Sequence, residues 1–124
     1  MTYIWVGIAG FLGATLRYLV GVVLFEEGTV FPLATLIVNL LGSFLLAWLT
    51  TVAFMKFPIP SHFKTAIGTG FVGSFTTFST FSVETVKLFQ ENHLLLGIIY
   101  VFVSLFGGLA MCHLGFIKNR GRNL

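Results

Sequence analysis

Residues 68–81 read GTGFVGSFTTFSTF, and this stretch constrains the fold more than any other. Gly68, Gly70 and Gly73 crowd its first half. Ser74, Thr76, Thr77, Ser79 and Thr80 crowd its second, with Phe71, Phe75, Phe78 and Phe81 between them. Glycine weakens a helix through backbone entropy, and hydroxyl side chains weaken it by offering competing hydrogen bonds. The surrounding sequence is too apolar for a soluble domain: 56% of residues are hydrophobic, 9% are charged and the mean hydropathy is +0.98, whereas soluble chains average about 25% charged residues. Much of the apolar surface must therefore face lipid. At membrane depth, backbone released from a helix needs partners inside the protein or in a wet cavity. Two readings of 68–81 follow: an interrupted helix beside a solute path, or a glycine-rich helix that lets its neighbours approach closely.

Four apolar stretches, at about 3–25, 31–55, 61–90 and 94–117, are each near the ~20 residues that a membrane-crossing helix needs. Short polar breaks separate them: Glu26 to Gly28, Lys56 to Pro60, and Gln90 to His93. The expected fold is an all-α membrane protein with four transmembrane helices, the third broken near its middle, forming one integral membrane domain over 1–124. The net charge of +3 suits anionic headgroups better than nucleic acid, since no basic run is interleaved with polar surface. Cys112 is the single cysteine and can form no intramolecular disulfide. No basic segment precedes the first apolar stretch, so a cleaved signal peptide is not expected. His62, His93 and His113 lack metal-ligand spacing. No nucleophile stands with a base and an orienting group, so the chain is not expected to be an enzyme.

Polar residues inside the apolar stretches carry the remaining information. Arg17 lies deep in the first, where a charge costs roughly 2.5–3.5 kcal/mol by insertion scales. It is either a snorkelling or paired structural cation, or the lining of an anion vestibule. Its own helix interior offers no acid, so its partner must be another helix, a carbonyl or an anion. Thr35, Asn39 and Ser43 recur every four residues and share one helix side, as interhelical glue or as a wet face. Ala66, Gly70 and Ser74 make a close-packing seam before the break, as Gly10 and Ala14 do in the first stretch. Phe78 and Phe81 share a face after it, beside Thr77, Thr80 and Glu84; Glu84 reads equally as a solvated interfacial carboxylate. Tyr100, Ser104 and Gly108 form a second polar and small-residue stripe.

Taken together, GxxGxxxR at Gly10, Gly13 and Arg17, NLLGSF at Asn39 to Phe44, and GFVGSFTTFSTFSVE at Gly70 to Glu84 resemble the small fluoride ion channels of the Fluc (CrcB) family. The resemblance covers the whole chain in length, span number and motif order. It implies a dimer of two antiparallel subunits in a prokaryotic plasma membrane, with two fluoride pores and a central structural sodium ion. The implied pore residues are Asn39, Phe78 and Phe81, with a polar track of Thr35, Ser79, Thr80, Tyr100 and Ser104. Arg17 and Glu84 would be vestibule or structural charges. Backbone carbonyls of Gly73 and Thr76 would hold the sodium. A second track serine found in parts of the family falls at Gly108 here. The implied role is passive export of fluoride that entered as the neutral acid and ionised in the cytoplasm.

Three further readings stay open. A small multidrug-type transporter of this size would need an acid in the first helix, which has none before Glu26. A non-transporting assembly factor would account for the small-residue seams but not for the aligned polar stripes. The third concerns pairing. With four spans, Lys56, Lys64, Lys118, Arg120 and Arg122 fall on one side and Lys87 on the other. Positive charge stays cytoplasmic, so this imbalance suits one half of an antiparallel heterodimer, whereas the complete motif set suits a dual-topology homodimer.

Overall fold

A computed structural model describes residues 1–25, 28 and 30–122, with the backbone alone for 117–122; Glu26 and Glu27, which close the first apolar stretch, lie outside the described residues. The described residues form helices and turns, with no strand. Helix α1 is Thr2–Val23, α2 is Leu33–Lys56, α3 covers residues 61–75, α4 is Phe78–Gln90 and α5 is Leu94–Arg122. Three helical segments are long and apolar enough to cross a bilayer: Thr2–Val23, Leu33–Lys56 and Leu94–Phe116. Large apolar side chains stand exposed along them, such as Phe11, Leu95 and Phe102. A water-soluble chain would bury such residues, so the protein is a multi-pass membrane protein whose outer surface meets lipid.

Packing is pairwise: α2 runs along α5, and α1 along α3. Small residues set both approaches. A Cβ added at Gly13 would run into the backbone of Phe71, and one at Gly70 would lie 2.7 Å from the Val6 carbonyl oxygen. Gly10 sits against Ser74 Oγ, 3.1 Å from where its Cβ would be. Across the other pair, Gly107 lies under Leu40 and Gly115 against Ala47 and the Trp48 amide. Between α2, α4 and α5 lies a small core of Leu36, Leu88 and fully buried Tyr100, flanked by Phe31, Leu40, Phe81 and Leu96.

Two helices carry wider, π-type turns, over Leu49–Ala53 in α2 and Ala66–Val72 in α3. In α2 the hydroxyls of Thr50 and Thr51 bond back to the carbonyls of Leu46 and Ala47, at 2.8 and 2.6 Å, a habit that loosens the local ladder. In α3 the widened turns hold Gly68 and Gly70, yet the chain stays helical through Phe75. The interruption comes one step later. Thr76 (φ −84°, ψ 159°) and Thr77 (φ −151°, ψ 117°) are extended, the conformation that β-branched residues favour. Glycine-driven packing and helix interruption, which the sequence presents as rivals for 68–81, are thus both present and divided between glycines and threonines. At the end of α4, Asn92 takes a left-handed turn at φ 64° and His93 N–H reaches back to the Leu88 carbonyl at 2.8 Å. This C-terminal cap leads directly into α5.

Candidate functional site

The site is built around the two extended threonines. In an unbroken helix the N–H of Thr77 would bond to the carbonyl of Gly73. Instead it donates to Asn39 Oδ1 at 2.8 Å, and the Thr77 carbonyl accepts from Asn39 Nδ2 at 3.0 Å. One amide side chain from α2 therefore satisfies both backbone groups of Thr77, as a paired strand would. Close approach is possible because Gly42, one turn further along α2, leaves room for the Thr76 methyl. Among the described residues, Gly73 O is left with a long contact of 3.5 Å from the Thr76 hydroxyl, which also bonds Val72 O at 3.1 Å.

Beyond the break, the Thr77 hydroxyl caps α4 by accepting the N–H of Thr80 at 3.2 Å. The same oxygen donates to Thr80 Oγ1 at 3.1 Å and lies 3.4 Å from Ser79 Oγ. Thr77 is buried, while Ser79 and Thr80 are exposed. Sequence reasoning placed Thr77 on a face with Thr80 and Glu84 but gave it no part in the site. The signal that could have found it is local: a threonine immediately before a restarting helix is a strong capping residue.

Arg17 finds its partner in a carbonyl. Its Nη1 donates to Thr76 O at 3.5 Å, across from α1 to the break. Arg17 also lines a cavity of about 440 Å³ with Thr35, Val38, Thr77 and Thr80. A second cavity, of about 480 Å³, lies on the other side of the Asn39–Thr77 pair and is lined by Asn39, Ser43, Gly73, Phe78, Phe81 and Ser104, among others. Ser43 does not offer its hydroxyl to this space, because it bonds back to the Asn39 carbonyl at 2.9 Å.

The two phenylalanines differ in setting. Phe78 is 79% exposed. Phe81 is half-buried, with its ring 5.0 Å from that of Tyr100 and 5.9 Å from that of Phe78. Glu84 faces the Thr35 hydroxyl and the Tyr100 phenol, but not in good hydrogen-bond geometry. Glu84 Oε1, Tyr100 Oη and Ser104 Oγ are buried with no hydrogen-bond partner among the described residues. Glu84 also borders a third cavity, of about 490 Å³, at the end of the molecule where Lys87, Glu91 and the α1–α2 connection meet.

Arg17, Thr35, Asn39, Gly73, Thr76, Phe78, Ser79, Thr80, Phe81 and Ser104 thus lie at the break or line the two cavities beside it, whereas Tyr100 sits in the core and Glu84 on the third cavity. Chemically, the two cavities beside the break combine hydrogen-bond donors, an aromatic pair and a cation, with no carboxylate among their described lining residues. That combination suits a small anion more than a cation. Gly108, further along α5, meets only Ser43 Oγ, 3.7 Å from where a Cβ would lie.

Comparison with known proteins gives the chain's family and relatives. A family described as CrcB-like protein, Camphor Resistance (CrcB), matches residues 4–116. The chain is 64% identical over 104 residues to a protein of Desulfitobacterium hafniense named fluoride-specific ion channel FluC 1, covering 84% of this chain and 90% of that protein. It is 52% identical over 117 residues to a Bacillus cereus protein of the same name, covering 94% and 85%. A Geobacillus kaustophilus protein named fluoride-specific ion channel FluC 2 is 46% identical over 117 residues, covering 94% and 91%.

Proposed function

The chain belongs to the CrcB-like (camphor resistance) family, and on that premise we propose that it is a fluoride-selective channel that lets fluoride leave a bacterial cytoplasm down its gradient. The observation that carries this reading is the donor-lined space beside the helix break. Ser104 Oγ, buried and unpaired, shares a cavity with the Asn39 amide and with Phe78 and Phe81. Buried hydroxyls in folded proteins almost always find partners, so an unpaired one on a cavity wall is a donor held for a ligand. Fluoride is small and strongly hydrated, and a pore must replace its water shell with donors. Asn39 has one Nδ2 proton engaged by Thr77 and a second to give. Thr35, Ser79, Thr80, Tyr100 and Ser104 add hydroxyls. Phe78 and Phe81 have positive ring edges to turn toward an anion. Arg17 draws anions toward the cavity it lines, and Glu84 with Lys87 marks the far mouth.

In this reading α3 and α4 together make a fourth span, since neither alone reaches the ~20 residues required, and the whole chain is one integral membrane domain. Two copies assemble antiparallel, giving two pores. The carbonyls of Gly73 and Thr76 fit a structural sodium ion at the centre of the dimer, whose positive charge would balance the negative ends of the released carbonyls. One feature supports the fit: Asn39 takes the N–H that would have covered Gly73 O; at Thr76 O the ion would share the carbonyl with Arg17 Nη1, 3.5 Å away. The charge imbalance between the two sides favours a second reading, in which the antiparallel partner is a homologous chain.

The experiment is fluoride efflux from liposomes holding the purified protein. Efflux is expected with fluoride and not with chloride under the same gradient. Comparable chloride flux would sink the reading.

A further inference from the structure

We propose that Thr77 is a positioning residue for the anion path, acting through Thr80 and through the start of α4; this rests on the reading of the site as a fluoride path. Three observations lead to it. First, the Thr77 backbone cannot swing, because Asn39 holds its N–H at 2.8 Å and its carbonyl at 3.0 Å. Second, its side chain is buried and fully engaged with α4, accepting from Thr80 N–H and donating to Thr80 Oγ1. Third, Thr77 lines both the Arg17 cavity and the Phe78–Ser104 cavity, so it forms part of the wall between them.

The chemistry follows from counting protons. A threonine hydroxyl has one proton and two lone pairs. Thr77 gives its proton to Thr80 Oγ1, so the proton of Thr80 must point elsewhere. Thr80 is exposed and lines the Arg17 cavity. Its proton is therefore free to be given to that cavity, and a donor is what an anion beside a guanidinium requires. A donor that is itself an acceptor in a hydrogen-bond chain is also polarised and strengthened. The capping bond meanwhile fixes the first turn of α4 and hence the placing of Phe78 and Phe81. Thr77 itself need not touch the ion.

The test compares Thr77→Val, Thr77→Ser, Thr80→Val and the double variant Thr77→Val/Thr80→Val in fluoride-loaded vesicles. Valine keeps the β-branched shape and the backbone clasp but removes both the cap and the lent proton. Loss of one capping bond shifts the opening of the first turn of α4 by about fivefold, so Thr77→Val is expected to slow efflux and Thr77→Ser to restore it. Because part of the Thr77 effect runs through the Thr80 hydroxyl, the loss in the double variant should fall short of the product of the two single losses by more than the scatter of independent sites. Wild-type efflux in Thr77→Val, or losses that multiply in the double variant, would overturn the proposal. Should Thr77→Val not assemble, Thr77→Cys serves, with a weaker acceptor and donor; slowed efflux supports the proposal and wild-type efflux overturns it. If the wild-type protein itself passes no fluoride, the functional reading fails on its own. Amide hydrogen exchange at Thr80 then tests the positioning claim: faster exchange in Thr77→Val but not in Thr77→Ser supports it, and unchanged exchange overturns it.

Discussion

In the proposed channel, Asn39 would serve structure and solute together. Its amide replaces two backbone hydrogen bonds at Thr77, and only the proton left over is available to an anion. Asn39→Asp keeps the acceptor for Thr77 N–H but loses the donor to Thr77 O and adds a negative charge. We expect fluoride efflux to fall more than tenfold, and stability to drop by about 1–3 kcal/mol as a buried carbonyl loses its partner. Efflux and thermal unfolding of the variant, compared with wild type, check both parts. The phenylalanines should separate the same two roles. Phe78 is exposed, whereas Phe81 packs on Tyr100. Phe78→Ile is expected to slow efflux with unchanged thermal stability. Phe81→Ile should slow efflux and also cost about 1 kcal/mol, the typical worth of an aromatic pair. Wild-type flux in both would return the two residues to a packing role.

At the scale of elements, the glycines divide into those that are needed and those that are not. Gly13 faces the Phe71 backbone, so any side chain there forces α1 away from α3. Gly13→Val should destabilise the protein by about 1–3 kcal/mol or more through overpacking. Gly7 and Gly21 meet nothing within 4 Å. Gly7→Ala should be neutral or stabilising by up to about 1 kcal/mol, because alanine is the better helix former. Thermal unfolding of both variants in the same detergent gives the comparison; equal behaviour would contradict the close α1–α3 contact. The helix break follows the same logic of local chemistry. Glycines in 66–75 allow wide turns without ending the helix, while two consecutive threonines with an external amide partner end it.

At the scale of the whole molecule, the ends carry unequal charge. Lys64 lies over the Phe54 ring, and Phe63 packs on Trp5 near the start of α1, so Lys56, Lys64 and the N-terminus share one end. Lys87 borders the cavity beside the α1–α2 connection at the other. The positive-inside tendency therefore favours one orientation for this chain. Tagging the C-terminus and testing its accessibility from each side of the membrane, in cells expressing this chain alone, decides between the two assemblies. A mixed population with fluoride conductance fits a homodimer. One uniform orientation, silent until a homologous chain is added, fits a heterodimer.

From the residues alone come the membrane class, the positions of the long apolar helices, the polar stripes at fourfold spacing and the family. Each depends on composition or on periodicity along one helix, which is written locally. The partner of Arg17, the clasp between Asn39 and Thr77 and the capping role of Thr77 are decided only in three dimensions. The pairs Arg17–Thr76 and Asn39–Thr77 lie far apart in the chain, 59 and 38 residues, and meet because Gly42 and the α1–α3 glycines let helices approach closely. Sequence brackets the break between Ser74 and Phe78 but does not say which residues end the helix. Glycines and threonines both weaken a helix, and which of them ends it depends on where a neighbouring side chain stands ready to take the released N–H and carbonyl.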